Sequence, residues 1–387
     1  IERAVELIEQ AKNPLLIVDE AHRIRNAGKA NQGLAASQAT KRLALTGSGL
    51  VNHPSDVSRP LNFVAGKKIL PEDPDEFAAR FLRDTPNARS LIDRFRNTPA
   101  SYRTTLNPRG VGVLRAALDK YVDYHPGTAD NFPTREDAVI KVPMADRQLR
   151  VYSNILEDMP KGLRRKMLMN LPPSRAEATQ LNAFMSGVRQ VSNTTQGFDV
   201  DAPQQPKIDR AVSELQKVLA ANPRAKAIVY SHFLESGLTP YTKRLDDLKI
   251  PYGTFTGGMP PKQREQMVND YNTGKIKALL LSSAGGEGLD TKGTRLIQLL
   301  EPHFNKAKLD QVIGRGIRYK SHAALPENER NVLVQRFLAT RPRSGMLERL
   351  HLRNPGFGAD EYLDAMSSRK DQLNKQVMQL LQRNDDD

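Results

Sequence analysis

LLIVDEAH, residues 15–22, ends a strand-like apolar run in two adjacent carboxylates. Four apolar residues with a β-branched end suit a short buried strand. Ligands of α/β sheets bind at the carboxyl ends of strands, where Asp19 and Glu20 fall. A carboxylate pair there suits a hydrated magnesium ion and the water beside it. An isolated Asp-Glu after a strand is more often a helix cap. The complete DEAH string reverses that preference, because a second apolar strand, RLALT (42–46), follows and closes on Gly47-Ser48-Gly49.

A second string, QVIGRGIR (311–318), places Gln311, Arg315 and Arg318 at i, i+4 and i+7. That spacing predicts one helix face carrying two guanidiniums, the group suited to gripping phosphate. A salt-bridged surface face explains the same spacing when it is taken alone. Between the two strings, SSAGGEGLD (282–290) closes an apolar strand with glycines that let backbone amides approach a phosphate. A plain turn accounts for those glycines equally well.

The rest of the chain supplies a frame. Strand, helix and strand alternate with tight turns over 14–49 and again from 207, the rhythm of a parallel α/β sheet. In the second stretch the expected elements are helix 207–220, strand 227–231, helix 236–248, strand 252–256, helix 260–273, strand 276–283, strand 295–301, helix 305–317 and strand 331–339. Helices are also expected at 1–12, within 73–84, at 88–97, 113–125 and 145–159, with a strand at 138–144. Residues 201–206 (DAPQQP) have linker composition, and 359–383 reads as one long amphipathic helix.

Composition narrows the partners. The chain has 387 residues, enough for two or more domains, and is 39% hydrophobic and 26% charged. No apolar run approaches the roughly 20 residues that span a bilayer, so no membrane role is expected. The amphipathic start IERAVELIEQAK is not a secretion signal. Cysteine is absent, which excludes disulfides and thiolate metal sites and suits a reducing compartment. A net charge of +14 and a pI near 9.8 favour a polyanionic partner. His22 belongs to DEAH. His232, His303 and His322 are isolated, read as structural, and show no metal-ligand spacing.

Taken in order, these strings resemble superfamily 2 helicases and translocases, in particular the Swi/Snf-like branch. DEAHRIRN (19–26) looks like motif II and LALTGSGLVN (43–52) like motif III. DAVIKVPMADRQLRVY (137–152) is similar to the strand and helix that open the branch's second half, and VRQVSN (188–193) to its LRQ-type helix. AIVYSHFLES (227–236) resembles motif IV, and TGGMPPKQREQMVNDYNTG (256–274) the element that follows. The unbroken run from LLLSSAGGEGLD to QVIGRGIR is similar to motifs V and VI. The continuation RYKSHAALPENERNVLVQRFLA looks most like helicase-like ATPases of large DNA viruses and phages.

The resemblance implies an α/β fold of two RecA-like parallel-sheet domains, the first incomplete, with helical insertions and a C-terminal helix. The expected division is 1–145 with an insertion at about 71–130, a helical linker 146–206, the second domain 207–340 and a tail 341–387. It implies ATP with Mg2+ between the domains and nucleic acid, by family double-stranded DNA, across them. By position, Asp19 would hold magnesium through water and Glu20 would position the attacking water. His22, Thr46 and Ser48 would couple hydrolysis to movement. Gly288 and Asp290 would face nucleotide and nucleic acid, and Gln311, Arg315 and Arg318 would complete the ATP site. The resemblance also implies a cytoplasmic protein of a bacterial host, phage or virus.

Two departures matter. Ser48-Gly49 stands where the branch usually has Thr-Pro, which loosens the motif III turn. No GxxxxGK[ST] loop occurs anywhere in the chain, and only 18 residues precede Asp19. With an Ile at position 1, the expectation is a C-terminal portion whose phosphate-binding loop is supplied by a missing N-terminal segment, in cis or in trans. Alone it is expected to show little or no ATPase. The alternative from the same departures is a degenerate, non-catalytic nucleic-acid-binding or scaffold subunit.

Overall fold

A computed structural model describes residues 7, 10–12, 14–25, 28, 39–47, 53–87, 102–125, 130–198, 202–283, 289–343, 345–346 and 356–381. The chain divides into two compact units. One comprises residues 1–128, 305–307 and 367–387, the other 129–304 and 308–366. The expected helices at 1–12 and 88–97 lie largely or wholly outside the described residues.

In the first unit, β1 (Leu15–Val18) and β2 (Lys41–Ala44) pair in parallel, with Leu15 opposite Lys41 and Val18 opposite Ala44. Both strands form where expected, but they are not buried. Leu15 is 56% exposed and Ile17 52%, and Leu43 and Leu45 are exposed as well. Parallel strands are stable when both faces are covered, and among the described residues these two have no further strand beside them.

The first unit's core lies elsewhere. Helices α1 (Ser58–Ala65), α2 (Pro74–Phe81) and α3 (Pro108–Tyr121) bury Leu61, Phe77, Phe81, Leu114 and Leu118 with Val377. Their starts are written locally. Asp73 caps α2 and Asn107 caps α3, each followed by proline at the first helical position. The helix expected through residue 84 stops at Phe81. Leu82 turns extended (φ −117°) and opens β3 (Leu82–Pro86), which pairs antiparallel with β4 (Tyr102–Leu106). Thr85 and Pro86 favour the extended chain over a further helical turn.

The second unit is built on a six-stranded, all-parallel sheet. Its strands are β5 (Thr134–Pro143), β6 (Ala227–Ser231), β7 (Tyr252–Phe255), β8 (Ala278–Ser282), β9 (Leu296–Leu299) and β10 (Asn331–Thr340). They lie in the order β5-β10-β9-β6-β8-β7. β5 pairs along its whole length with β10, so residues 134–143, expected in the first domain, belong to this sheet. The helices in chain order are α4 (Asp146–Glu157), α5 (Lys161–Leu168), α6 (Arg175–Asn193), α7 (Pro206–Ala221), α8 (Thr239–Asp247), α9 (Pro261–Asn272) and α10 (Lys306–Gly316).

Both faces of the sheet are covered, which is why its central strands read as unbroken apolar runs. Ala227, Val229, Leu280 and Phe337 pack under α7 and α8, through residues such as Ile208, Leu215 and Tyr241. The alternate residues Ile228, Tyr230, Leu279 and Leu281 pack under α9 and α10, through Tyr271, Leu309 and Ile313. A separate helical cluster joins α4, α5 and α6 to the start of α11 (Ala359–Gln379) around Tyr152, Met167, Met185, Tyr362 and Leu363. No described helix is long and apolar enough to cross a membrane.

Candidate functional site

The first cluster forms where β1 and β2 end. The ladder continues past the strands, with Leu45 N donating to Val18 O (2.9 Å) and Ala21 N to Leu45 O (2.9 Å). These bonds hold residues 18–22 alongside 45–46, so two strings distant in sequence meet. Asp19 Oδ1 accepts from Glu20 N at 2.8 Å. Glu20 adopts φ +51°, the left-handed region that a non-glycine residue occupies at a cost. The next residues wind into a short 3-10 turn, Ala21–Arg25, that buries His22.

His22 Nδ1 lies 3.2 Å from Thr46 Oγ1 and 3.2 Å from Glu20 Oε2. Burial pushes its pKa below the ordinary histidine value, Arg25 and Arg23 assist, and only the Glu20 carboxylate opposes. The imidazole is therefore neutral near pH 7, and its contact with Glu20 is a hydrogen bond rather than an ion pair. Since a carboxylate only accepts, the tautomer that fits carries its proton on Nδ1. Ser48 lies outside the described residues. The three it leaves, Glu20, His22 and Thr46, form one contact chain. Asp19 offers a single exposed carboxylate, a donor set that fits magnesium, which keeps most of its water and takes phosphate oxygens.

The second cluster lies where the segment after β8 meets the end of α10. Arg318 Nη1 donates to Leu289 O at 2.9 Å and stands 3.6 Å from Asp290 Oδ1. Thr291 Oγ1 donates to Arg315 O at 2.6 Å. The expected common face for three residues is corrected here. Gln311 and Arg315 lie on α10, but the helix ends at Gly316. Arg318 follows it in a turn held by Ser321, whose Oγ accepts from Arg318 N at 3.2 Å. Gln311 is exposed and Arg315 half-buried. Gly288 lies outside the described residues.

Three positions inside the quoted strings, given no role there, hold the surrounding elements together. Asn272, at the end of α9, donates through Nδ2 to Asp290 O (3.0 Å) and accepts from Lys292 N (2.8 Å). Glu301, buried just beyond β9, accepts from Ser231 Oγ (2.7 Å), His232 N (2.9 Å) and Asn193 Nδ2. It thereby ties the 188–193 segment to the 227–236 segment. Gly316 sits so tightly that a Cβ would meet Ile297 Cδ1 at 2.9 Å and Thr294 Cγ2 at 3.1 Å. Gly316→Ala is expected to overpack this seam and destabilise the second unit by about 1–3 kcal/mol, read as a lower denaturation midpoint. An unchanged midpoint would show that the seam yields. A glycine between two arginines was the available signal. Asn272 and Glu301 left none, since their partners come from distant strands.

The remaining histidines are placed by backbone partners and burial. His322 Nε2 lies 2.7 Å from Thr294 O, and its Nδ1 lies 2.9 Å from Ser321 Oγ. His232 is half-buried, with its ring 5.7 Å from that of His303. Burial is the first cause holding both His232 and His322 below the ordinary value, as for His22. Between the lowered folded values and the unfolded value of about 6.5, the unfolded chain binds more protons, so stability rises with pH. The melting temperature is therefore expected to fall as pH drops below about 6.5. His322→Gln is expected to flatten that dependence, which melting curves across a pH series would check. Among the described residues no group of three or more His, Asp or Glu is placed to hold a metal.

DEAH with Thr46, and Asp290 with Arg318, each fall within the span of a matching family description. SNF2-related domain matches residues 1–197, and Helicase conserved C-terminal domain matches residues 210–320. The chain belongs to the SNF2-related family. It is 32% identical over 375 residues to a putative ATP-dependent RNA helicase of Acanthamoeba polyphaga mimivirus, covering 94% of this chain and 75% of that protein. It is 25% identical over 406 residues to a termination factor NPH-I homolog of African swine fever virus, covering 82% of this chain and 55% of the relative. A Sulfolobus solfataricus SWI2/SNF2 ATPase core in complex with dsDNA aligns over 97% of this chain and 75% of that one. Its identity is 14% and its TM-score 0.41.

Proposed function

We propose that this chain supplies the carboxylates, coupling residues and second-domain arginines of an ATPase that moves along nucleic acid, by preference duplex DNA. The observation that carries the proposal is the contact chain Glu20–His22–Thr46. It links the residue that would position the attacking water to the neighbouring strand through a neutral, buried histidine. A passive scaffold has no use for such a link, nor for a glutamate held at φ +51°.

In this reading Asp19 would hold Mg2+, which when bound would supply charge neutralisation at the phosphates of ATP. Glu20 orients and deprotonates water, while Gln311, Arg315 and Arg318 belong to the transferring phosphoryl group. Arg318 is half-exposed and its ion pair with Asp290 spans 3.6 Å, so the guanidinium can exchange a loose partner for phosphate. Gly288 and Asp290 are assigned to nucleotide and nucleic acid, and Ser48 to coupling.

The phosphate-binding loop is assigned to polypeptide outside these 387 residues, because no GxxxxGK[ST] occurs within them. The exposed apolar residues Leu15, Ile17, Leu43 and Leu45 support this, since the crossover helices of a sheet continued past β1 and β2 would cover its faces. The test is nucleic-acid-stimulated ATP hydrolysis by the full protein. Stimulation by duplex DNA is the expected result. Hydrolysis that is absent even with an intact phosphate-binding loop would sink the motor in favour of the scaffold.

A further inference from the structure

The β3–β4 ribbon carries none of the site residues named above. Two-stranded ribbons are marginal unless something supports them. Among the described residues the support comes at the base. β3 leaves α2 at buried Leu82, and β4 enters α3 at Asn107, whose side chain donates to Arg80 O at 3.1 Å. Gly110 seats α3 against that corner, where a Cβ would lie 2.4 Å from Arg80 O.

The register sorts the side chains. Arg83 opposes Thr105 and Thr85 opposes Arg103, so these four share one face. Leu82, Asp84 and Pro86, with their partners Leu106, Thr104 and Tyr102, take the other. The ribbon's acid is thus turned away and occupied, since Thr104 Oγ1 donates to Asp84 Oδ1 at 2.6 Å. Arg83 and Arg103 are exposed, and neither makes an ion pair among the described residues. Residues 82–121 carry seven arginines against three aspartates and no glutamate. Arginine with threonine is the side-chain set that contacts phosphodiester oxygens. Diagonal neighbours on a ribbon lie roughly 7–8 Å apart, near the spacing of successive phosphates on one strand.

We propose that the Arg83–Thr85–Arg103–Thr105 face of the β3–β4 ribbon is a sequence-independent contact for the phosphodiester backbone of nucleic acid, separate from the motif-bearing strand ends. It rests on the nucleic-acid reading above. The experiment measures binding of the full protein to a short fluorescein-labelled DNA duplex, without ATP, across a series of KCl concentrations. Wild type is compared with R83A/R103A, R83K/R103K and the opposite-face control D84N.

Loss of two phosphate contacts makes the dependence of log affinity on log salt shallower by about 2. That change in R83A/R103A is expected, with the wild-type slope kept in R83K/R103K and D84N. Binding by wild type with an unchanged slope in R83A/R103A would overturn the ribbon contact and leave the family reading intact. Failure of wild type to bind duplex at low salt would overturn both. A parallel titration with poly-glutamate covers an acidic protein as the occupant. A loss in R83A/R103A seen there and not with DNA would overturn the nucleic-acid assignment.

Discussion

Glu20→Gln in the full protein is expected to lower nucleic-acid-stimulated ATP hydrolysis by about 10²–10⁴-fold, the span of a lost general base or water-positioning carboxylate. Binding of ATP and of DNA should persist, because the amide keeps the side chain's shape and Asp19 keeps its charge for magnesium. The structure makes a sharper comparison possible. Glu20 Oε2 and Thr46 Oγ1 both meet His22 Nδ1 at 3.2 Å. Gln retains an oxygen acceptor for that proton, so E20Q removes the base while leaving the contact chain closed. His22→Ala opens the chain while leaving the base. If the assignment holds, E20Q abolishes turnover with or without DNA, whereas H22A retains basal hydrolysis and loses stimulation. Equal loss in the two variants would mean that His22 serves the chemistry or the fold rather than the coupling. Full activity in E20Q would defeat the role given to Glu20.

What the sequence disclosed, and what it did not, follows the range of the forces involved. The second sheet was legible almost strand by strand, because strands covered on both faces are written as apolar runs. AIVYS became β6 at the expected bounds, Ala227–Ser231. The same rule misled at β1 and β2. LLIV and RLALT read as buried strands, and they are strands, but burial depends on neighbours that the run itself does not specify. Helix ends showed a second kind of limit. Spacing put Arg318 on a helix face, yet the Ser321 hydroxyl captures its backbone N–H and turns the chain after Gly316. The expected helix over 236–248 begins instead as a wide π turn, Leu234–Leu238, before α8. There Gly237 passes so close to Ser231 that a Cβ would lie 1.9 Å from its Oγ. Within the site, DEAH announced itself, but only the ladder bonds between residues 18–21 and 45 explain why His22 reaches Thr46. Asn272 and Glu301 work through partners more than 15 residues away or on other strands, which local pattern cannot register.

The largest effect on stability is expected at a buried ion pair of the second unit. Lys207 Nζ lies 2.6 Å from Asp360 Oδ2, and both side chains are essentially inaccessible to solvent. Asp360 Oδ2 also accepts from Ala339 N at 2.9 Å, while Oδ1 has no partner among the described residues. The pair joins the start of α7 to the start of α11, beside Tyr152, whose hydroxyl accepts from Ala359 N at 2.7 Å. Asp360→Ala leaves a lysine ammonium buried without a counter-charge, and breaking such a pair costs about 3–5 kcal/mol. For a unit of this size that is a fall in Tm of roughly 6–20 °C. Lys207→Met should cost somewhat less, because the carboxylate keeps the Ala339 amide and can take up a proton. The double variant K207M/D360L removes both charges and refills the volume, so it should recover most of the loss. The remaining deficit of about 1–3 kcal/mol is the unpaired Ala339 N–H. Urea or thermal unfolding of the four proteins makes the comparison. An Asp360→Ala protein that unfolds with wild type would show that water reaches Lys207, and a double variant no better than either single would show that the pair is needed for its geometry rather than its charge balance.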